Sequence, residues 1–211
     1  MENPDALASQ LRLALCSCQS GCEARTQLDD LPLCHALIRL LAVGQPLSHD
    51  DLVQITGLPL RGLTERLARM DLDYDEDGRV IGAGLNLRPT PHCFNIGGRQ
   101  LFTWCALDAL MYLGLLAETV YVESPCRVTG QPVRVMVTPG GVAAVDPCDA
   151  VVSLVLPQAG QPPRQAFCGE VHFFASVEVA QSWLAERPQA QVVPVATAYA
   201  LGNLLIAKRG T

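Results

Sequence analysis

The chain has 211 residues, 49% of them hydrophobic and 17% charged, with a formal net charge of −6 and nine cysteines. That length and apolar content suit one folded domain or two small ones around a sizeable core. The acidic balance disfavours unspecific attraction to nucleic acid or anionic membrane, and charged or polar residues interrupt every run before the roughly 18 apolar residues of a spanning helix.

The opening "MENPDALASQLRLALCSC" has acidic residues where a signal peptide would be basic and lacks a clear small-residue cleavage site, so a cytoplasmic protein is expected. "PDALASQLRLALCSC" predicts a helix, and "QSGCEARTQLDDLP" reads as loop. Residues 1–30 thus form an N-terminal helix and a cysteine-containing loop. From Leu31 the pattern sharpens: "LCHALIRLLAVG" has helical spacing and ends on Gly44. In "PLSHDDLVQITGL", Ser48 is a candidate N-cap, Asp50 and Asp51 occupy the first turn, and Gly57 follows the end. "PLRGLTERLARM" gives a third short helix with Pro59 near its start.

In "DLDYDEDGRVIGAGLNL" the period changes to alternation, with Asp77-Gly78 marking a tight hairpin turn. Three helices and a hairpin predict a winged-helix-like domain over 31–88. DNA is not expected as its ligand. Residues 1–90 carry 13 acidic against 8 basic side chains, and Asp71, Asp73, Asp75, Glu76 and Asp77 crowd the wing, so phosphate is repelled. A structural or lid role is expected instead.

"RPTPHCFNIGGRQL" is a connection with one short strand, and the main domain, 89–211, starts near it. "LFTWCALDAL" then reads as an apolar helix. "TVYVESPCRVTGQPVRVMVTPGGVAAV" is β-rich with turns at Thr129-Gly130 and Pro139-Gly140. "AVVSLVLP" has the look of a buried strand, and "RQAFCGEVHFFAS" of another that holds Cys168 and His172. "VEVAQSWLAERP" predicts a helix capped by Ser176, and "VVPVATAYALGNLLIAKRG" a strand and then a helix. The fold class is therefore α+β, a winged-helix-like helical part followed by a mixed or antiparallel β core with flanking helices.

An odd number of cysteines without an export signal argues for reduced thiols rather than a disulfide framework. Cys105 and Asp108 lie three residues apart on one helical face, where a carboxylate among apolar neighbours must find hydrogen bonds or lose its charge. The pair looks like a thiol with its own proton acceptor. Cys16, Cys18 and Cys22, with Cys34 and His35 further on, contain soft-metal ligands, yet their spacing is not a strong zinc pattern and incidental packing is favoured. Packing is also the default for Cys93, Cys148 and Cys126. A cysteine hydrolase needs a histidine beside its thiol. On one strand, Cys168 and His172 would stand about 13 Å apart, so nothing marks a dyad.

In combination, "YDEDGRVIGAGLNLRPTPHCF", "LFTWCALDAL", "SPCRVTGQPV", "AVVSLVLP" and "FCGEVHFFAS" resemble the alkylmercury lyases of bacterial mercury resistance, from about Leu31 to about Leu205. The resemblance implies protonolysis of a carbon–mercury bond, giving a hydrocarbon and Hg(II). It carries the catalytic and mercury-binding trio onto Cys105, Asp108 and Cys168, and a structural cysteine onto Cys126. Some members have a second cysteine after the one matched by Cys168; here that position is Gly169. The implied partners are alkyl or aryl organomercurials, low-molecular-weight thiols and a mercuric reductase as Hg(II) acceptor, with no cofactor, because Hg(II) is a product. Trp104, Phe102, Phe167 and Phe173 are candidates for an apolar pocket wall. The alternatives are a winged-helix regulator responsive to soft metal and a mercury-binding protein without catalysis.

Overall fold

The computed structural model describes residues 5–11, 24–156 and 163–206. Helix and antiparallel sheet alternate along it, an α+β architecture. Residues 5–11 form α1, consistent with the helix expected at the start; Cys16, Cys18 and Cys22 lie outside the described residues. Helix α2 runs Ala24–Leu41, with Pro32 inside it. The loop expected up to Pro32 is therefore helical from Ala24 onward. A proline inside a helix loses one hydrogen bond of the ladder and crowds the carbonyl four residues back, and buried Leu33, Leu37, Ile38 and Leu41 anchor the helix beyond it against that cost.

Helix α3 (His49–Thr56) has Ser48 as N-cap in a reciprocal capping box with Asp51, and Gly57 closes it in the left-handed region at φ 68°. Helix α4 spans Leu60–Leu67. Strands β1 (Asp73–Tyr74) and β2 (Val80–Ala83) form the hairpin around Gly78, and Leu47 bridges to Val80.

An eight-stranded antiparallel sheet continues from this hairpin in the order β1-β2-β3-β5-β4-β6-β7-β8. Strand β3 is Leu85–Asn86, β4 His92–Ile96, β5 Arg99–Thr103, β6 Val120–Pro125, β7 Pro132–Thr138 and β8 Gly141–Asp146. The connection read as holding one short strand is thus a two-stranded hairpin, turned at Gly97 and Gly98, both at positive φ. Alternation sets the faces. Val120, Val122, Val133, Val135 and Val137 point into the core, while Tyr121, Glu123 and Arg134 point to solvent.

A second sheet has the order β10-β9-β11, with β9 (Val151–Leu154) buried at every residue between β10 (Phe173–Phe174) and β11 (Gln191–Pro194). The short helices are α5 (Ala106–Met111), α6 (Leu113–Leu116) and α7 (Pro163–Ala166), and the longer ones α8 (Val177–Ala185) and α9 (Val195–Ile206). Ser176 caps α8 as expected, accepting the Val179 N–H. Helix α9 packs on α5 and β8, and the buried side chains of helices and both sheets form one continuous cluster. No helix among the described residues is long and apolar enough to cross a membrane.

Candidate active site

The stretch "LFTWCALDAL" divides between two elements. Leu101 to Thr103 end β5, Cys105 is the N-cap residue with extended backbone, and the helix starts only at Ala106. Cys105 is therefore at the mouth of α5 rather than inside a longer helix. Its contact with Asp108 is a capping contact, in which the Asp108 N–H points at the Cys105 sulfur at 3.4 Å. Two further bonds hold the turn: the Thr103 hydroxyl donates to the Cys105 carbonyl at 3.1 Å, and the Ala106 N–H donates to the Val171 carbonyl at 3.1 Å.

The second of these bonds ties α5 to the segment that carries Cys168. That residue begins a 3-10 turn, Cys168–Glu170, rather than lying on a strand with His172; only Phe173 and Phe174 pair as β10. Ser153 of β9 fixes the turn. Its hydroxyl donates to the Glu170 carbonyl at 2.7 Å and accepts the His172 N–H at 2.9 Å. Arg187 adds an ion pair to Glu170 at 2.8 Å.

These attachments bring together Cys105, Asp108 and Cys168, whose two sulfurs and a carboxylate oxygen all lie within 4.8 Å of one another. The Cys168 thiol faces Asp108 Oδ2 at 3.8 Å. Cys105 is fully buried and Asp108 nearly so, whereas Cys168 is half-buried and forms the accessible side. Burial pushes the Cys105 thiol well above its ordinary value, reinforced by Cys168 and the Asp108 charge. The hydrogen bond with Cys105 works to lower the Cys168 thiol, but burial and the charges of Asp108 and Asp71 outweigh it. Burial raises the Asp108 carboxyl to about 6, against the opposing pull of hydrogen bonds from Cys105, Tyr112 and Cys168. At neutral pH the site therefore holds two protonated sulfurs and a carboxylate poised to accept a proton.

Around the trio stand further residues, of which Tyr112 and Arg164 were not singled out in the sequence. The Tyr112 hydroxyl donates to Asp108 Oδ1 at 3.1 Å. Tyr112 is one helical turn beyond Asp108, so the i,i+4 spacing carried the signal just past the end of the quoted motif. Arg164 pairs with Asp73 at 2.7 Å and lies 4.4 Å over the Trp104 ring, while the Trp104 indole N–H donates to Asp73 at 3.1 Å. Of the aromatic candidates, Phe167 and Phe173 are buried, and half-buried Phe102 occupies the face of β5 opposite Leu101 and Thr103.

Cys34 on α2 is half-buried with its charge felt at Tyr112, and His35 next to it is buried. Cys126 is buried at the turn after β6, where its sulfur accepts the Ala175 N–H at 3.4 Å. Burial acts to raise its thiol, but Thr129 and the backbone N–H groups of Thr129, Val128 and Ala175 hold it below the ordinary value. Cys93 is half-buried and takes the Gln100 amide at 3.1 Å; Cys148 is exposed. His92 pairs with Ser124 at 3.0 Å. Burial depresses His92 and His172 to about 4, and neither joins the trio.

A family model described as alkylmercury lyase matches residues 85–207. A curated alkylmercury lyase of Streptomyces lividans is 47% identical over 170 residues, spanning 80% of this chain and 79% of its own length. One from Staphylococcus epidermidis is 44% identical over 173 residues, with 82% and 80% covered, and one from Pseudomonas putida is 42% identical over 177 residues, with 82% of each covered. Among solved structures, the crystal structure of the mercury-bound form of MerB2 superposes with a TM-score of 0.78 at 27% identity, covering 95% of this chain and 97% of that one.

Proposed function

The chain belongs to the alkylmercury lyase family, and from that premise we propose how its residues divide the work. The enzyme cleaves the carbon–mercury bond of organomercurials by protonolysis, releasing a hydrocarbon and Hg(II). In our reading Cys105 and Cys168 are the thiolate ligands and Asp108 is the proton shuttle. The observation that carries this assignment is the approach of both sulfurs to one buried carboxyl within 4.8 Å.

Mercury is a soft ion, and thiolate is the softest side-chain ligand available. A substrate arriving as an R–Hg–thiolate adduct of a small carrier thiol meets Cys105, whose proton is too tightly held to be lost to Asp108 alone. As the sulfur bonds to mercury its proton affinity collapses, and Asp108 takes the proton. Cys168 adds the second sulfur, and its proton leaves on the displaced carrier thiolate. Charge builds on carbon as the sulfur count rises, and Asp108 then delivers its proton there. Two sulfur–mercury bonds form, while the carbon–mercury bond and the carrier's sulfur–mercury bond break. Of the two thiol protons, one ends on the hydrocarbon and one on the carrier thiol. Burial of Asp108 favours the neutral acid once it has taken the thiol proton, which makes it a ready donor beside the polarised carbon.

No cofactor enters this scheme; small thiols sustain turnover, and Hg(II) passes to them or to a mercuric reductase. The setting is cytoplasmic, where such thiols are reduced. Cys126 acts as a structural residue, tying the turn after β6 to Ala175. The region 31–88 is read as a winged-helix-like module serving as scaffold or lid, with 1–30 preceding it and the catalytic part at 89–211; helix α2 begins ahead of the first boundary, at Ala24, and the eight-stranded sheet runs through the second. Three helices, a hairpin and the Leu47 to Val80 bridge support that description.

The test is phenylmercury turnover with excess thiol, following benzene and Hg(II), for the wild type beside Cys105→Ser and Cys168→Ser. Catalytic release that either serine abolishes supports the sulfur pair. Turnover at the wild-type rate in either variant refutes its assignment.

A further inference from the structure

We propose that Tyr112 is a positioning residue for the proton shuttle: its hydroxyl anchors Asp108 through Oδ1 and leaves Oδ2, the oxygen facing Cys168, as the one through which the proton passes. This rests on the reading of Asp108 as proton carrier.

The two carboxylate oxygens have different surroundings. Oδ1 accepts the Tyr112 hydroxyl at 3.1 Å, and Oδ2 faces the Cys168 sulfur at 3.8 Å. The tyrosine is itself buried at 4% exposure, so water does not compete for the bond. In that bond the phenol O–H is the donor and the carboxylate oxygen the acceptor.

The fold makes a specific place for that hydroxyl. Between β2 and β3 the chain turns at Gly84, at φ 89°, flanked by buried Ala83 and Leu85. A Cβ at Gly84 would overlap the Tyr112 hydroxyl. Glycine is required there twice, for the left-handed backbone and for the space. The Gly84 carbonyl also accepts the Trp104 N–H at 3.0 Å, so the same corner that seats Tyr112 is bound next to Cys105. A phenol seated against a bare backbone corner and aimed at one carboxylate oxygen serves the carboxylate rather than general packing.

The experiment measures kcat and KM for phenylmercury in wild type and Tyr112→Phe, with Hg(II) binding and a melting curve recorded for each. Phenylalanine keeps the ring and removes only the donor. The value of kcat should fall about 3- to 10-fold, with KM and Hg(II) binding unchanged. Gly84→Ala, which crowds the hydroxyl off the carboxylate, should lower kcat the same way and serves if the phenylalanine variant does not fold. An unchanged kcat in the folded variant overturns the role of Tyr112, and if Asp108→Asn is inactive in the same assay the shuttle itself stands. Activity retained in Asp108→Asn overturns both.

Discussion

Cys105 caps the helix whose third residue is Asp108, and the Asp108 N–H meets the Cys105 sulfur at 3.4 Å. One backbone turn thus fixes the thiol against the residue that carries the carboxyl, and the Tyr112 hydroxyl holds that carboxyl through Oδ1. A serine hydroxyl is a stronger N-cap acceptor than sulfur. Cys105→Ser should therefore fold with an unchanged or slightly higher melting temperature while losing at least about 100-fold in turnover, because oxygen is a poor partner for a soft ion. A calorimetric melt beside the rate assay separates the two effects, and a variant that unfolds instead would contradict the capping account.

Cys168 reaches the trio from the 3-10 turn that Ser153 of β9 holds, and is its more exposed thiol. If it supplies the second sulfur, Cys168→Ser should still capture phenylmercury on Cys105, as one equivalent of bound organomercurial, without releasing benzene. Mass spectrometry of the intact protein detects that adduct. Benzene release from the variant would mean that one sulfur suffices.

Burial raises the Asp108 carboxyl from 3.8 to about 6 in the folded protein. The folded state then binds more protons than the unfolded one between those values. The stabilising contribution is full below about pH 4 and is lost as the pH climbs through about 6. Above that range the buried charge costs on the order of 3 kcal/mol. Asp108→Asn should accordingly raise the melting temperature at about pH 7.5 and change it little at about pH 4. Equal melting shifts at the two pH values would rule out the raised carboxyl.

Much of this was legible in the chain. Ser48, Gly57 and Ser176 announce helix ends because their local hydrogen bonds do not depend on distant packing. The valines of β6 and β7 alternate because one face of their sheet is buried. Less visible were the boundaries around the site. "LFTWCALDAL" is apolar throughout, so its pattern could not separate the end of β5 from the start of α5; that break is set by pairing with β4. Cys168 reads as strand because Val, His and Phe follow it, yet Ser153 holds the residues before His172 in a turn. The meeting of Cys105 with Cys168 depends on two sheets packing together, and local spacing carries no trace of it. The trio could be named from the family resemblance, whereas Tyr112 and Gly84 emerged only from the fold.

Asp73 joins the β1–β2 hairpin to the segment that leads into Cys168. It takes Arg164 at 2.7 Å, the Asn86 amide at 2.6 Å and the Trp104 indole at 3.1 Å. Burial works to raise this carboxyl, and Arg164, Trp104 and Asn86 together hold it below the ordinary value. Arg164 is 39% exposed, so screening reduces the pair's worth. Asp73→Asn should cost about 1 kcal/mol in urea unfolding and lower kcat/KM several-fold by loosening the approach of Cys168. Unchanged stability and activity together would show that the pair holds nothing in place.

The most direct test of the proton shuttle compares wild type with Asp108→Asn, counting benzene and Hg(II) released from phenylmercury in excess thiol and measuring Hg(II) binding by each protein. The account predicts many turnovers for the wild type, and retained Hg(II) binding without benzene for the asparagine variant, whose amide cannot accept and return the thiol proton. Benzene release by Asp108→Asn at the wild-type rate would contradict it.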